Sequence, residues 1–352
     1  MKKILISVIV DLFKDDGTTV RPKRVAEILK EEYNVTIVTR SNKKVENSYS
    51  NVNVKVISPL KTKLWNIKLI PFILKNNYDF IYCSNDFFGF ISYYLLHNFL
   101  GYKIIFEAHS TLSEELKERK INKFKVGFYR LLEKFVIKKS DFVVALSENT
   151  LNFYKKYNKN IRLVSVFMDE EFFKKKSKKK GLNKNVGLIG PFKNFGNQYF
   201  LEFLYQNIEN FHDNIHITVI GKCDKRIESD KISYTGYLND ESEYRNVLSS
   251  LDAVLVPSKV ATLGPLNKIL EPMACSVPVF TTPKGIVGLY EVQNNREILI
   301  FEENDLIDNL NRLIFNEELM GKIGENGRIY FEKYYSKKVN AKKLLDVFKR
   351  VE

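Results

Sequence analysis

The feature that most constrains this chain is an alternation. Apolar runs of strand length are separated by stretches of helical periodicity: KILISVIV, the helical VRPKRVAEILKEE, NVTIVTR, NVKVIS, DFIYCS, a helix through SYYLLHNFL, KIIFEAH, a helix through YRLLEKFVIKK, and DFVVALS. Near-continuous apolar strands joined by amphipathic helices predict a parallel sheet covered on both faces. Near Arg162 the rhythm falters, and RLVSVFMDEEFFKKKSKKKGLNKN contains a charge run that reads as a solvated inter-domain link. A second series follows through NVGLIGPF, QYFLEFLYQNI, HITVIGK, KISYTGYL, DAVLVP and VPVFTT, and helices run from Asp305 onward. The expected architecture is α/β, with two doubly wound Rossmann-like domains facing a central cleft. Residues 1–172 with a C-terminal helix 337–352 form the first domain, 173–182 the linker and 183–336 the second. Ligands of such sheets bind beyond the carboxyl ends of the strands, which places the expected site in that cleft.

Composition narrows the partners. A formal charge of +14 calls for something anionic: nucleic acid, a negatively charged membrane surface or a phosphorylated substrate. Cys83, Cys223 and Cys275 are far apart and form no CxxC pair, so neither a disulfide framework nor a zinc site is expected, and a reducing cytoplasm fits best. The opening MKKILISVIVDLF imitates a signal peptide, yet Asp11, Lys14, Asp15 and Asp16 follow directly, so it reads as a first buried strand. FFGFISYYLLHNFLGYKIIF is interrupted by Ser92, His97, Asn98, Gly101 and Lys103 and reads as a buried helix leading into a strand rather than a membrane span.

One stretch carries chemistry. In GPLNKILEPMACSVPVF, Pro265 suits a first helical turn, and Leu266, Ile269, Leu270 and Met273 recur on one buried face. Lys268 and Glu271 are three apart, so both leave the same side of the helix near an N-terminus that favours an anion. An ammonium matches phosphate, and a carboxylate is a bidentate acceptor for a vicinal diol. The plain alternative is a solvated surface pair worth a few tenths of a kcal/mol.

The run from Asn185 to Leu289, in the ordered blocks NVGLIGPFKNFGNQYFLEFL, HITVIGK, ISYTGYLNDESEYRNVLSSLDAVLVPS and GPLNKILEPMACSVPVFTTPKGIVGL, resembles the nucleotide-binding domain of GT-B glycosyltransferases of family four. The resemblance extends more weakly over nearly the whole chain, and YYSKKVNAKKLLDVFKR resembles the family's last helix, which crosses back to the first domain. It implies a retaining, metal-independent transfer, of a hexosyl or related group, from a nucleotide diphosphate donor, UDP- or GDP-linked, with no other cofactor. It also implies roles. Glu271 would accept from the ribose, Lys268 would meet the diphosphate, and Gly264 would let the backbone approach. Gly190, Lys193, Asn197, Gly236, Tyr237 and Asn267 would complete the donor site, with Gly17 in the first loop. His109, at the end of KIIFEAHS, would contact the donor sugar; a satisfied structural histidine is the competing reading. Ser147 and Glu148 match the family's Ser-Glu pair, but capping of the next helix explains them equally.

The pattern also departs from the family. Where many members place a first glutamate, separated from the second by seven residues, this chain has Leu263, eight positions before Glu271, so Asn267 and Lys268 become the expected polar contacts. Pro191 stands where relatives have arginine, and Pro272 follows Glu271 inside the helix, where proline ordinarily costs ~3 kcal/mol. The expected acceptor is a saccharide or lipid-linked saccharide. LKTKLWNIKLIPFILKNNY and LKERKINKFKVGFYRLLEKFVIKK mix basic residues with Trp65, Phe124, Phe128 and Tyr129, which suits peripheral docking on an anionic inner membrane face. For the second stretch, a helix packed on the sheet with a wet lysine face is the plainer alternative. Two rival functions remain: a sugar-nucleotide epimerase on the same fold, and a basic nucleic-acid-binding protein, for which no base-reading or base-stacking motif is present.

Overall fold

The strand runs are short and apolar because they lie in the middle of two sheets. In the computed structural model, which describes residues 1–13, 19–41, 48–49, 52–57, 65–173, 181–192, 195–238, 240–261 and 264–352, the chain divides into two units. These are Met1–Ser165 with Ala341–Glu352, and Val166–Asn340.

The first unit holds strands β1 (Lys3–Val8), β2 (Asn34–Arg40), β3 (Ser48–Tyr49), β4 (Val52–Ile57), β5 (Phe80–Ser84), β6 (Lys103–Ala108), β7 (Phe142–Ala145) and β8 (Ile161–Leu163). Their order is β3-β4-β2-β1-β5-β6-β7-β8, parallel throughout except for β3, which runs antiparallel to β4. Every residue of β5 and β7 is buried, as expected of central strands covered by helices on both faces. Between β1 and β5 the strand order reverses. There the Ser7 hydroxyl donates to Asp86 at 3.0 Å, and Asp86 caps the helix Phe87–Leu100 by accepting from the Gly89 N–H at 2.8 Å. Any Cβ on Gly89 would sit 1.9 Å from that carboxylate, so the cap requires glycine here. Burial pushes Asp86 up to about 6 against the pull of the Gly89 and Ser7 hydrogen bonds. The last helix, Lys337–Val351, begins in the second unit and ends in the first, where the Phe348 ring lies 5.3 Å from Phe80 and 5.4 Å from Tyr33.

The second unit is built from β9 (Lys184–Ile189), β10 (Ile215–Ile220), β11 (Ile232–Gly236), β12 (Ala253–Val256), β13 (Val279–Thr281) and β14 (Leu299–Ile300). Its order, β11-β10-β9-β12-β13-β14, is parallel throughout and reverses between β9 and β12, the arrangement of a doubly wound nucleotide-binding sheet.

Three expectations shift. The stretch after Arg162 is not all link: Ile161–Leu163 closes the first sheet as β8 beside β7. Met168 and Phe173 are buried in the core of the second unit, so residues 166–172 group with that unit rather than the first. Most of the expected linker 173–182 lies outside the described residues. Finally, the helix bearing Lys268 starts at Asn267 with Leu266 as its N-cap, which leaves Pro265 ahead of the helix instead of in its first turn.

Candidate functional site

The helix Asn267–Ala274 leaves the carboxyl end of β12 beside the point where the second sheet reverses. Ile269, Leu270 and Met273 are fully buried and fix its rotation, as their spacing requires. Pro272 is accommodated within it, so Glu271 keeps its place on the helix. The preceding turn is held from behind by a residue the motif reading passed over. A Cβ on Gly288 would meet the Gly264 carbonyl oxygen at 2.2 Å and the Pro265 nitrogen at 2.7 Å, so only glycine lets that backbone lie so close.

With its rotation fixed, the helix turns Lys268 inward. Its side chain is only 9% exposed. Nζ donates to Asn197 Oδ1 at 2.6 Å and to the Ile189 carbonyl at 3.2 Å, and lies 4.5 Å from the centre of the Phe200 ring. Asn197, in the first turn of the helix Phe195–Gln206, is itself held by donating Nδ2 to the Pro191 carbonyl at 2.8 Å. The Gly190–Pro191 peptide is cis. Lys268 therefore bridges the end of β9 to the start of its own helix across the reversal point. Burial pulls its ammonium down from 10.5 to about 7, with Glu271 opposing. Glu271 is half-buried and accepts from the Tyr244 hydroxyl at 2.6 Å, a partner from the helix Glu241–Ser250 that no sequence signal singled out.

Glycines at the strand ends keep this region open. Gly190 follows β9; Gly221, with φ of 114°, follows β10; Gly236, with φ of 70°, ends β11. The Gly221 N–H donates to Gly236 at 3.0 Å, and a Cβ on Gly221 would come within 3.4 Å of the Gly190 Cα. Tyr237, next to Gly236, is 46% exposed. The structure thus gathers Gly190, Asn197, Lys268 and Glu271 about one strand-end region and puts Gly236 and Tyr237 at the end of β11. Gly17, Lys193 and Leu263 lie outside the described residues.

In the first unit, His109 stands one residue beyond β6. Its Nε2 lies 2.9 Å from Glu107 Oε1, which also accepts from the Ser84 hydroxyl at 2.9 Å. The other carboxylate oxygen takes Arg21 Nε at 2.8 Å and the Tyr82 hydroxyl at 2.6 Å. Burial alone would raise Glu107, but Arg21, His109 and Tyr82 outweigh it and hold the carboxyl far below its usual range. An ionised Glu107 only accepts, so Nε2 carries the ring proton and the tautomer is fixed. Arg21, 8% exposed, also donates to the Val164 and Ser165 carbonyls at 3.2 and 2.7 Å. Sequence reading missed Glu107 and Arg21, though a lone acid in an apolar strand, two residues before a histidine, shares its face and was the available signal. Ser147 caps the helix Glu148–Tyr154 by accepting from Thr150 N at 3.2 Å, the structural one of its two readings.

Residues 183–316 match the family described as Glycosyl transferases group 1, and residues 16–172 match Glycosyltransferase Family 4. An uncharacterized glycosyltransferase of Methanocaldococcus jannaschii is 29% identical over 142 residues, 38% of this chain and only 40% of that relative's own length. Among solved structures, sucrose-phosphate synthase from Thermosynechococcus elongatus superposes with a TM-score of 0.81 at 14% identity, over 100% of this chain and 99% of that one. Anabaena HepE in complex with UDP and glucose gives 0.76 at 13% identity, over 99% and 100% of the two chains.

Proposed function

The chain belongs to the GT-B glycosyltransferases of family four, and from that premise we propose that it transfers a sugar from a nucleoside diphosphate donor to a saccharide or lipid-linked saccharide, with retention of configuration and without a bound metal. The observation that carries the reading is the Lys268 ammonium, bridged between Asn197 and the end of β9 and set three residues ahead of Glu271 on one helix. Helix start, glycine-opened strand ends and a buried cation form a receptor for a diphosphate, and Glu271, steadied by Tyr244, supplies the acceptor for a ribose diol. That HepE was solved with UDP and glucose supports a uridine donor.

The chemistry asks little of protein nucleophiles. The anomeric carbon–oxygen bond to the diphosphate breaks, a bond to the acceptor oxygen forms on the same face, and the acceptor proton passes to the departing phosphate. The chain's part is to position the donor and to stabilise the growing negative charge through Lys268 and the helix start. In the first unit we assign His109 a contact to the transferred sugar, with Glu107 fixing which ring nitrogen faces outward.

Mass spectrometry of the purified chain with UDP- and GDP-sugars tests this. One donor should release its nucleoside diphosphate slowly in water and faster when a saccharide or lipid-extract acceptor is added, with the sugar's mass appearing on the acceptor. Conversion of the sugar nucleotide to an isomer with no acceptor present would identify an epimerase instead.

A further inference from the structure

Large apolar side chains stand in the open on two neighbouring helices of the first unit. On Lys123–Lys139 they are Phe124, Phe128, Leu131 and Phe135, exposed by 90%, 54%, 70% and 38%. At 3.6 residues per turn all four fall within about 60° of arc. On Phe87–Leu100, Ile91, Leu95 and Phe99 recur every fourth residue, exposed by 38%, 62% and 85%. The two helices lie side by side, the Phe135 ring 5.4 Å from Tyr94 and 6.3 Å from Phe90. Helix Lys123–Lys139 attaches through Val126, Leu132, Val136 and Ile137 on its other side, so its outward face is not the plain lysine surface that its composition suggests. Seven exposed large apolar side chains on two neighbouring helices mark an interface, where a single exposed leucine would not.

Charge selects the occupant. Helix Lys123–Lys139 carries Lys123, Lys125, Lys134, Lys138 and Lys139, all exposed, and Arg130, which pairs with Glu114 at 2.6 Å. Its one acid, Glu133, is buried and faces inward to Ser113 N and the Tyr154 hydroxyl. Helix Phe87–Leu100 has no acidic residue. A second copy of the chain related by a two-fold axis would set these lysines against themselves. Lipid phosphates beside acyl chains match both the charge and the apolar stripes. Among the described residues no helix is long and apolar enough to cross a membrane, so the face can lie on a bilayer but not span it.

We propose that the paired outer faces of helices Phe87–Leu100 and Lys123–Lys139 dock the chain on the surface of an anionic phospholipid bilayer. The aromatic and aliphatic stripes enter the headgroup boundary and the flanking lysines rest on lipid phosphates. This rests on the first unit alone and stands or falls without any transferase assay.

Flotation of the full chain with phosphatidylcholine vesicles, with and without phosphatidylglycerol, reads the contact directly. The chain should float with the anionic vesicles, bind the neutral ones at least tenfold more weakly, and release as salt is raised. The triple variant Phe124→Ser, Phe128→Ser, Leu131→Ser should lose at least tenfold in binding while its circular-dichroism melt stays unchanged, since all three side chains are exposed. Replacing Lys123, Lys134 and Lys138 by Gln should weaken binding roughly fivefold per charge. Three results overturn the proposal: no flotation of the wild type, triple-variant binding equal to wild type, or a wild-type dimer that the triple variant converts to monomer. The last would make a second copy the occupant.

Discussion

Lys268→Met should lower kcat/KM for the sugar donor by roughly 10²–10³-fold, the usual loss when one preorganised donor to developing charge is removed, yet move the melting temperature by only a few degrees. The split follows from opposing terms in the folded chain. Lowering the ammonium from 10.5 to about 7 corresponds to roughly 5 kcal/mol against burying the charge. Methionine removes that cost but leaves Asn197 Oδ1 and the Ile189 carbonyl without their donor, at about 1–3 kcal/mol each. The two nearly cancel. Catalysis has no such compensation, because a thioether cannot answer a diphosphate.

The same lysine gives the wild type a pH signature. Below about 7 the group is protonated and suited to the proposed diphosphate; as pH rises through that value the free enzyme loses the charge and binding of that group must take up a proton. The logarithm of kcat/KM for the donor should therefore decline towards a slope of −1 above neutrality. In Lys268→Met that limb should be missing. A variant that keeps the wild-type slope would place the titrating group elsewhere.

Glu107→Gln should cost stability rather than spare it. Glu107 is fully buried, and its replacement breaks the 2.8 Å ion pair with Arg21, itself 8% exposed. Breaking a buried pair from one side costs about 3–5 kcal/mol, which for a unit of this size lowers the midpoint by about 10 °C. The sign with pH is fixed by the depressed carboxyl. Its contribution is complete above the unfolded value of 4.5 and is lost as pH falls below it, so calorimetric scans of wild type and variant should differ most near neutrality and converge in acid. A double variant, Arg21→Met with Glu107→Leu, should recover much of the loss, because both members of the buried pair are then apolar. Equal melting of Glu107→Gln and wild type at pH 7 would show that the pair carries no such weight.

The sequence disclosed the sheets well because each strand announces itself twice, by an apolar run and by the helix that follows. KILISVIV and HITVIGK became β1 and β10 within two residues of their expected ends. It disclosed less where burial is not local. Nothing in VRPKRVAEIL distinguishes Arg21 from Arg24, yet Arg21 is buried on Glu107 through a contact eighty-six residues away in sequence. Lys268 was legible as a functional cation, but not as a buried one, because its partners come from the end of β9 and from Asn197, seventy-one residues earlier. Spacing named the helix but placed its start two residues early, since Pro265 fits a first turn as well as the segment before it; the close approach of Gly288 to Gly264 settles where the turn lies. The lysine face of KFKVGFYRLLEKFVIKK looked wet in one dimension, and only the packing of its opposite side left Phe128 and Leu131 facing outward.

In the proposed function the second unit holds a nucleoside diphosphate between Lys268 and Glu271. Calorimetric titration of UDP and GDP into wild type and Glu271→Ala tests it most directly. One nucleotide should bind the wild type, and the variant should bind it at least tenfold more weakly, as loss of a hydrogen bond to a charged acceptor, about 1.5–3 kcal/mol, requires. Heat from neither nucleotide, or equal affinity in the two proteins, would contradict it.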